Sequence, residues 1–189
     1  EHLFNGSLAR RLIADGQLIL HWLPPERVPP THDAVSAFLT DRWIWEQIEE
    51  EHILMFQSDA MVCSKSIHAV EDFLRWSFIG APIDEYYGVG FNGGLSVRQR
   101  SAMLQTLSTF KLNEGEPEDQ WYFKHLPRLG YAVPPARIAR HFSCETTHFP
   151  TPLGYHQPQR YLPRKFKQRL AWCPEINLIP KIKRFGVDA

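Results

Sequence analysis

Short apolar runs of strand length alternate along this chain with segments whose apolar residues recur at helical spacing. Residues 18–23 and His52–Phe56 form two such runs, and residues 35–48 between them have a helical pattern. This alternation favours a mixed or parallel sheet covered by helices. We therefore predict an α/β fold. A single domain spanning residues 1–189 is expected, because this length suits one sizeable core better than two.

The same patterns place further elements along the chain. Helices are predicted at residues 6–17, 69–76, 98–107 and 118–129, and extended segments at residues 78–81 and 138–146. Gly93 and Gly94 are predicted to form a turn just before the helix at residues 98–107. From residue 149 onward the chain is predicted to be irregular, because prolines recur there.

The charge balance narrows the classes of partner. Lysine plus arginine and aspartate plus glutamate each number 21, so the formal net charge is zero. This total gives no reason to expect a nucleic acid or a membrane surface as partner. No stretch approaches the roughly 20 apolar residues that a membrane span needs. Because the sequence begins at Glu1 rather than Met, the compartment stays open between the secretory-pathway lumen (Golgi) and the cytoplasm.

The three cysteines do not form a recognisable framework. Cys63, Cys144 and Cys173 are an odd number with long spacings, which fits neither a dense disulfide scaffold nor a zinc site of the Cys-x-x-Cys kind. We predict that all three are free and pack as small apolar side chains.

Two polar features could form a ligand site. Asp59 follows the run His52–Phe56, and ligands of open α/β sheets bind beyond the carboxyl ends of strands. Capping of the next turn is an equal alternative for this acid. Asn92, Gly93 and Gly94 resemble a hairpin turn in isolation. Ser96 and Arg98 follow directly before a predicted helix, whose N-terminus would offer amides to an anion, so a ligand-binding turn stays open as well.

An acid pair and a histidine complete the set of candidates. Glu118 and Asp119 follow a proline at a helix start, where acids are favoured by the helix dipole alone, but an acid there could also serve as a general base. Trp121 could stack on a sugar ring or lie in the core. His156 is a candidate transition-metal ligand if Asp59 shares the ion, and Glu145 is a lower-ranked candidate.

The ordered blocks Phe-Gln-Ser-Asp (56–59), Asn-Gly-Gly-Leu-Ser-Val-Arg (92–98), Pro-Glu-Asp (117–119) and Gly-Tyr-His (154–156) resemble those of a known family. It is a domain-of-unknown-function family of glycosyltransferase-like proteins, frequent in fungi. That family is similar in turn to inverting nucleotide-sugar glycosyltransferases of the GT-A fold. The resemblance covers residues from about 18 to 172.

The resemblance implies a GT-A-like (Rossmann-like) fold with a mixed, mostly parallel sheet, flanked by helices and lacking the first βα unit. It implies a metal-dependent transferase that moves a sugar from a nucleotide-sugar donor, expected to be a UDP-sugar, to a glycan or other hydroxyl acceptor. The expected stereochemical outcome is inversion at the transferred sugar.

Carried over by residue, the resemblance makes Asp59 the last acid of a DxD-type motif and His156 the histidine that completes a Mn²⁺ or Mg²⁺ site. Asp119 corresponds to the catalytic base, with Glu118 beside it. The expected substrate-binding residues are Asn92, Gly93, Gly94, Ser96 and Trp121. Gln57 stands where the first acid of the motif is expected, so less charge is available to the metal.

Two other function classes remain open from the sequence. A noncatalytic carbohydrate- or nucleotide-binding domain could keep the same fold without turnover. An interaction domain could instead bind an acidic partner through its basic segments, residues 164–167 and 181–184.

Overall fold

A computed structural model describes residues 7–29 and 31–179 and shows a mixed α/β architecture. The helices are α1 (Ser7–Ala14), α2 (His32–Leu39), α3 (Arg42–Glu46), α4 (Arg100–Thr109), α5 (Glu118–His125), α6 (Ala136–Phe142) and α7 (Phe166–Trp172). The strands are β1 (His52–Phe56), β2 (Ala60–Val62), β3 (Phe78–Pro82), β4 (Phe91–Gln99), β5 (Ser143–Cys144) and β6 (Gly154–His156). Short 3₁₀ helices lie at Pro25–Arg27, Val70–Phe73, Leu126–Leu129, Pro163–Lys165 and Pro174–Leu178.

Strand β4 is the centre of the first sheet, whose order is β1-β4-β3. Both neighbours run antiparallel to it, with Phe56 opposite Leu95 on one side and Phe78 opposite Arg98 on the other. Because β4 is paired along both edges, every residue from 93 to 98 is buried. This strand therefore carries the residues 92–98 through the middle of the protein.

The second sheet has the order β2-β6-β5 and brings three distant segments together. Strand β6 pairs antiparallel with β2, which places His156 opposite Ala60, and parallel with β5, which places Tyr155 opposite Cys144. Asp59 immediately precedes β2, and Glu145 immediately follows β5. The register of this small sheet therefore gathers Asp59, Glu145 and His156 at one end.

The α/β class is confirmed, but the expected predominance of parallel pairing is wrong for the described residues. Within residues 7–29 and 31–179, only β5 and β6 pair in parallel, and the other three strand pairings are antiparallel. The reason is local for β3 and β4, which are joined by the loop of residues 83–90 rather than by a crossover helix. A parallel neighbour would need a crossover connection of a dozen residues or more.

Four local predictions are wrong. The chain from residue 149 onward, expected to be irregular, contains strand β6 and helix α7. Residues 18–23 form no strand, and Ile19 and Trp22 are instead mostly exposed, because no other strand pairs with this segment. Residues 138–146 are largely helix α6, with only Ser143–Cys144 in a strand. Gly93 and Gly94 lie inside β4 rather than in a turn, so Ser96 and Arg98 belong to a strand and do not open a helix.

Other local predictions are confirmed. Strand β1 occupies the predicted residues, and the extended segment at residues 78–81 is β3. Residues 118–129 form α5 and the 3₁₀ turn that follows it. The helical pattern at residues 35–48 is divided into α2 and α3, because the Asp41 side chain accepts a hydrogen bond from the Trp43 amide and starts a new helix.

The main core lies between β4 and the helices that cover it. Trp45 from α3, Trp121 and Tyr122 from α5, and Phe78 from β3 are fully buried in it. Full burial of each such side chain contributes roughly 2 to 3 kcal/mol. The core thereby fixes the start of α5 against β4.

Two expectations remain, one on a membrane span and one on segments near the ends of the chain. None of those within residues 7–29 and 31–179 is long and apolar enough to cross a membrane. The basic segment at residues 181–184, and the first residue of the helix predicted at residues 6–17, lie outside the described residues.

A disulfide joins Cys63, just after β2, to Cys173, just after α7. The prediction that all three cysteines are free is therefore wrong for this pair, which is separated by 110 residues and could not be inferred from spacing. Cys144 is free and buried, as predicted. These residues pack with Tyr155 and Ile176 in a second apolar cluster, which fastens α7 to the second sheet.

The disulfide should stabilise the fold measurably. Replacing both Cys63 and Cys173 with Ser is expected to lower the free energy of unfolding by about 2 to 4 kcal/mol, because the open chain gains conformational freedom when unfolded. Urea unfolding with and without dithiothreitol measures the effect. The reductant should destabilise the wild-type chain and leave the double variant unchanged, and an indifferent wild type would contradict the bond.

Candidate functional site

One cavity of about 320 Å³ collects most of the residues that the sequence singles out. It lies where β4, α5 and the end of the second sheet meet. Its lining includes Gln57, Asn92, Gly93, Gly94, Asp119 and His156. Glu118 and Glu145 also reach it. Segments far apart in the sequence thus contribute polar groups to one concave surface, which is the usual form of a small-molecule site.

His156 lies at the centre of a polar cluster on the wall of this cavity. Its Nε2 atom is 3.0 Å from Gln57 Oε1, in a hydrogen bond, and 3.2 Å from Asp59 Oδ1. Its Nδ1 atom is 3.0 Å from Glu145 Oε1, an ion-pair contact whose angle falls outside hydrogen-bond limits. The histidine therefore lies between two carboxylates, and Asp59 and His156 converge as the sequence predicted.

The two carboxylates change the protonation of this cluster. Burial opposes the charge of His156, but Asp59 and Glu145 outweigh that cost and raise the pKa of His156 to about 9. The hydrogen bond to His156, against the opposing effect of burial, holds the pKa of Asp59 below its ordinary value. At neutral pH His156 is therefore an imidazolium, with Asp59 and Glu145 on either side of it.

Gly94 is required where it stands because the imidazole ring packs directly on its backbone. A Cβ atom at this position would lie 2.3 Å from Nε2 of His156. The Gly94 carbonyl also accepts a hydrogen bond of 2.8 Å from the backbone N–H of Gln57. The glycine predicted to allow close approach of a ligand thus allows close approach of the histidine, which a Cβ would displace.

Asp119 lies in the first turn of α5, with its side chain against β4. Oδ2 accepts a hydrogen bond of 2.9 Å from the Gly93 amide, and Oδ1 accepts one of 2.7 Å from the Gln120 amide. Burial, together with the charge of Glu118, raises the pKa of Asp119 to about 7, although those amides and Arg98 oppose the shift. The structure therefore offers a carboxyl group that exchanges its proton near neutral pH.

Glu118 forms a buried ion pair with Arg98, with 2.7 Å between Glu118 Oε1 and the guanidinium. Arg98 is fully buried and also donates to Ser96 Oγ at 3.1 Å. Its guanidinium lies 5.1 Å from the centre of the Phe78 ring and 5.7 Å from that of Tyr122, where the ring faces favour a cation. Glu118 is therefore paired with Arg98, and its charge contributes to the raised pKa of the neighbouring Asp119.

Two predicted substrate-binding residues do not line the cavity. Ser96 is fully buried, and its hydroxyl donates to the Gly93 carbonyl at 2.9 Å. Trp121 is fully buried in the main core, where its indole N–H donates to the Lys111 carbonyl. Of the two roles left open for Trp121, the structure places the ring in the core. Ser96 and Trp121 therefore affect the site only by stabilising strand β4 and helix α5.

The cluster of Gln57, Asp59 and His156 fits a divalent cation in its donor atoms. Amide and carboxylate oxygens suit Mn²⁺ or Mg²⁺, and a carboxylate behind the second ring nitrogen, as Glu145 is, commonly orients a metal-binding histidine. A cation would have to displace the Nε2 proton. No group of three or more His, Cys, Asp or Glu side chains suited to a metal was found in the part of the chain that the structure describes. The cluster of Gln57, Asp59 and His156 has two residues of these types and one side-chain amide.

Arg169 is a supporting residue that the sequence reasoning missed. It is fully buried, and its guanidinium donates to four backbone carbonyls, those of Pro158, Tyr161, Glu145 and Thr147, at 3.0 to 3.2 Å. It thereby joins the segment after β5 to the segment after β6. The available signal was its position on the same helical face as Phe166 and Leu170, which an exposed arginine would not share.

Comparison with known proteins gives one match. A family model described as "Protein of unknown function (DUF5672)" matches residues 21–156, which include all of the polar residues of the cavity wall discussed above. No curated protein and no solved structure matches the chain.

The raised pKa of Asp119 should make stability depend on pH. The folded chain keeps this proton up to about pH 7, whereas the unfolded chain releases it near 3.8, so the contribution of Asp119 to stability falls as pH rises between these values. Asp119→Asn removes this dependence. The variant should gain on the order of 1 to 4 kcal/mol relative to wild type between pH 4 and pH 8. Urea unfolding across that range measures the difference, and a pH-independent difference would contradict the raised pKa.

Proposed function

We propose that this chain, which belongs to the DUF5672 family, is a glycosyltransferase that moves a sugar from a nucleotide-sugar donor to a hydroxyl acceptor with inversion. One observation carries the proposal: a single cavity is lined both by a carboxyl group that titrates near neutral pH and by Gln57 and His156, which form with Asp59 behind them a cluster whose donor atoms fit a divalent cation. The first is suited to activating an acceptor hydroxyl. The second is suited to holding a diphosphate.

Asp119 would act as the general base. A base works best when its pKa is near the operating pH, and burial beside Glu118 moves the pKa of Asp119 to about 7. Asp119 would accept the proton of the acceptor hydroxyl as that oxygen forms a bond to the anomeric carbon. The bond from that carbon to the diphosphate would break on the opposite face, and the nucleoside diphosphate would leave with the electron pair.

Gln57, Asp59 and His156 would hold the divalent cation, with Glu145 orienting the imidazole. When bound, Mn²⁺ or Mg²⁺ supplies positive charge that stabilises the departing diphosphate. Arg160 also lines the cavity and offers a second cation to the phosphates. Its guanidinium donates to Gln157 Oε1 at 2.8 Å, and Gln157 also lines the cavity. These groups would bind and orient the donor.

The GT-A-like fold and the UDP-sugar donor belong to this proposal. The site at the ends of strands from two sheets supports the first, because ligands of α/β proteins gather there. The Cys63–Cys173 disulfide favours the secretory lumen among the two compartments left open, since disulfides persist in oxidising surroundings.

A noncatalytic binding domain is the second candidate, and one observation favours it. Gln57 stands where an acid would add charge, and both nitrogens of His156 already contact oxygen atoms. A domain of this kind would bind a nucleotide sugar without releasing nucleotide. Calorimetry with nucleotide sugars and Mn²⁺, followed by assay of nucleotide release, separates the two candidates.

Asp119→Asn should abolish transfer while donor binding persists. Loss of the base is expected to lower kcat by about 10²- to 10⁴-fold, because the other two acids that line the cavity, Glu118 and Glu145, are already paired with Arg98 and His156. The measurement is nucleotide release from a panel of UDP-sugars, alongside calorimetric UDP affinity. In the wild type, activity should rise with pH through about 7 as Asp119 loses its proton. Full activity in the variant would remove Asp119 from this role.

Asp59→Asn should weaken Mn²⁺ binding, because the variant loses the carboxylate of the cluster. Calorimetric titration of Mn²⁺ in the presence of UDP is expected to show affinity lower by about tenfold or more, which is at least about 1.4 kcal/mol. Asp15→Asn is the matched control, since that side chain is exposed, whereas Asp59 is buried against His156. Equal Mn²⁺ affinity in both variants would exclude Asp59 as a ligand.

A further inference from the structure

Three tyrosine rings form a continuous aromatic surface on the loop between β3 and β4 and the segment after β6. Tyr86 is 87% exposed and Tyr87 is 52% exposed. The ring centres of Tyr86 and Tyr87 are 5.0 Å apart, and those of Tyr87 and Tyr161 are 5.2 Å apart, both edge to face. Rings of this size exposed together leave apolar area in water without a partner, which is typical of a binding surface.

This surface is continuous with the cavity that contains Asp119. Tyr87 and Tyr161 both line that cavity, so the aromatic rings extend from its interior to its rim. Tyr86 continues the row outward. A ligand stacked on these rings would therefore reach into the cavity that holds the proposed base.

Backbone hydrogen bonds hold the loop of residues 83–90 in a defined conformation. The Ile83 amide donates to the Gly90 carbonyl at 3.0 Å, and the Tyr87 amide donates to the Asp84 carbonyl at 2.8 Å. The Asp84 amide donates to Thr146 Oγ1 at 2.8 Å, which ties the loop to the segment after Glu145. The rings are therefore presented by an ordered loop, which lowers the entropy lost on binding.

The loop is also tied to the helix of the proposed base. The Val89 amide donates to Gln120 Oε1 at 3.3 Å, and Gln120 directly follows Asp119. Gly88 has a φ of +146°, and a Cβ atom there would lie 2.5 Å from Gln120 Oε1. This close contact fixes the tyrosines relative to Asp119.

The chemistry of the surface favours a carbohydrate over other ligands. A pyranose ring has an apolar face of C–H groups and a rim of hydroxyls, which suits an aromatic ring with a hydroxyl at its edge. The exposed side chains of Asp84 and Glu85 on the same loop can accept hydrogen bonds from sugar hydroxyls. Three rings are also too small an area for a stable protein interface, which needs about 1,000 Å².

We propose that Tyr86, Tyr87 and Tyr161 form the acceptor subsite and stack a pyranose ring of a glycan acceptor at the mouth of the cavity. This inference rests on the proposed function, because it gives the acceptor's chemical class and its place relative to Asp119. The sugar bound nearest the cavity would present a hydroxyl to Asp119, and the tyrosines would bind the rest of the glycan.

The test measures direct binding of disaccharides, without donor, to the full chain. Saturation-transfer NMR with cellobiose, maltose, lactose, mannobiose and chitobiose identifies a ligand, and titration gives its Kd. The double variant with Tyr86→Ala and Tyr87→Ala should weaken binding by about tenfold or more, since both exposed rings on which the sugar stacks are lost. The corresponding Phe variants should retain most of the affinity, because the rings remain.

Trp22→Ala is the matched control, because Trp22 is 74% exposed and does not line the cavity. It should leave disaccharide affinity unchanged, and thermal unfolding should show that all variants stay folded. Absence of binding by every disaccharide, or equal affinity in wild type and the Tyr-to-Ala variant, would overturn the subsite.

UDP affinity in the presence of Mn²⁺ distinguishes failure of the subsite from failure of the proposed function. The Tyr-to-Ala variant should bind UDP as the wild type does, and loss of UDP affinity instead of disaccharide affinity would assign the tyrosines to the donor and overturn the proposal. Disaccharide binding that needs the tyrosines, in a chain that neither binds UDP nor releases nucleotide, would support the subsite and reject the transferase.

Discussion

The arrangement of the site depends most on the buried ion pair between Arg98 of β4 and Glu118 at the start of α5. Arg98 is fully buried and Glu118 nearly so, and removal of one partner from such a pair typically costs about 3 to 5 kcal/mol. The pair sets the position of the helix along the strand, so that Asp119 meets the Gly93 amide. A Cβ atom at Gly93 would lie 2.2 Å from the guanidinium, so a side chain there would separate the pair.

The second sheet positions the other polar residues of the site through the pairing of its strands. Its strands are two or three residues long, and they contribute little burial of their own. Their pairing nevertheless places Asp59, Glu145 and His156 together, and Arg169 then binds the segments on both sides through backbone carbonyls. Helix α7, which lines no part of the cavity, therefore determines whether the cluster holds its geometry.

The sequence was informative where local signals and tertiary structure agreed. Strand β1 and helix α5 were predictable from apolar spacing and a proline start, and the ordered blocks indicated Asn92, Asp119 and His156, which line one cavity. The conformation of Gly93 and Gly94 was not predictable, because Asn-Gly normally forms a turn and only pairing with β1 and β3 extends it. The Cys63–Cys173 bond and the hydrogen bonds of Arg169 to the Glu145 and Thr147 carbonyls join segments more than twenty residues apart, which spacing does not report.

The disulfide and Arg169 together set the smallest piece of the chain that can hold the site. The family match ends at residue 156, the last residue of β6. Yet the backbone carbonyls of Glu145 and Tyr161 accept hydrogen bonds from Arg169, which lies 13 positions beyond that point. Cys173, which forms the disulfide, lies further on. A segment cut at the boundary of the family match would retain every polar group of the cluster and lose the elements that hold them in register. The last residue of the family match and the last residue that the fold of the site needs therefore differ in this protein.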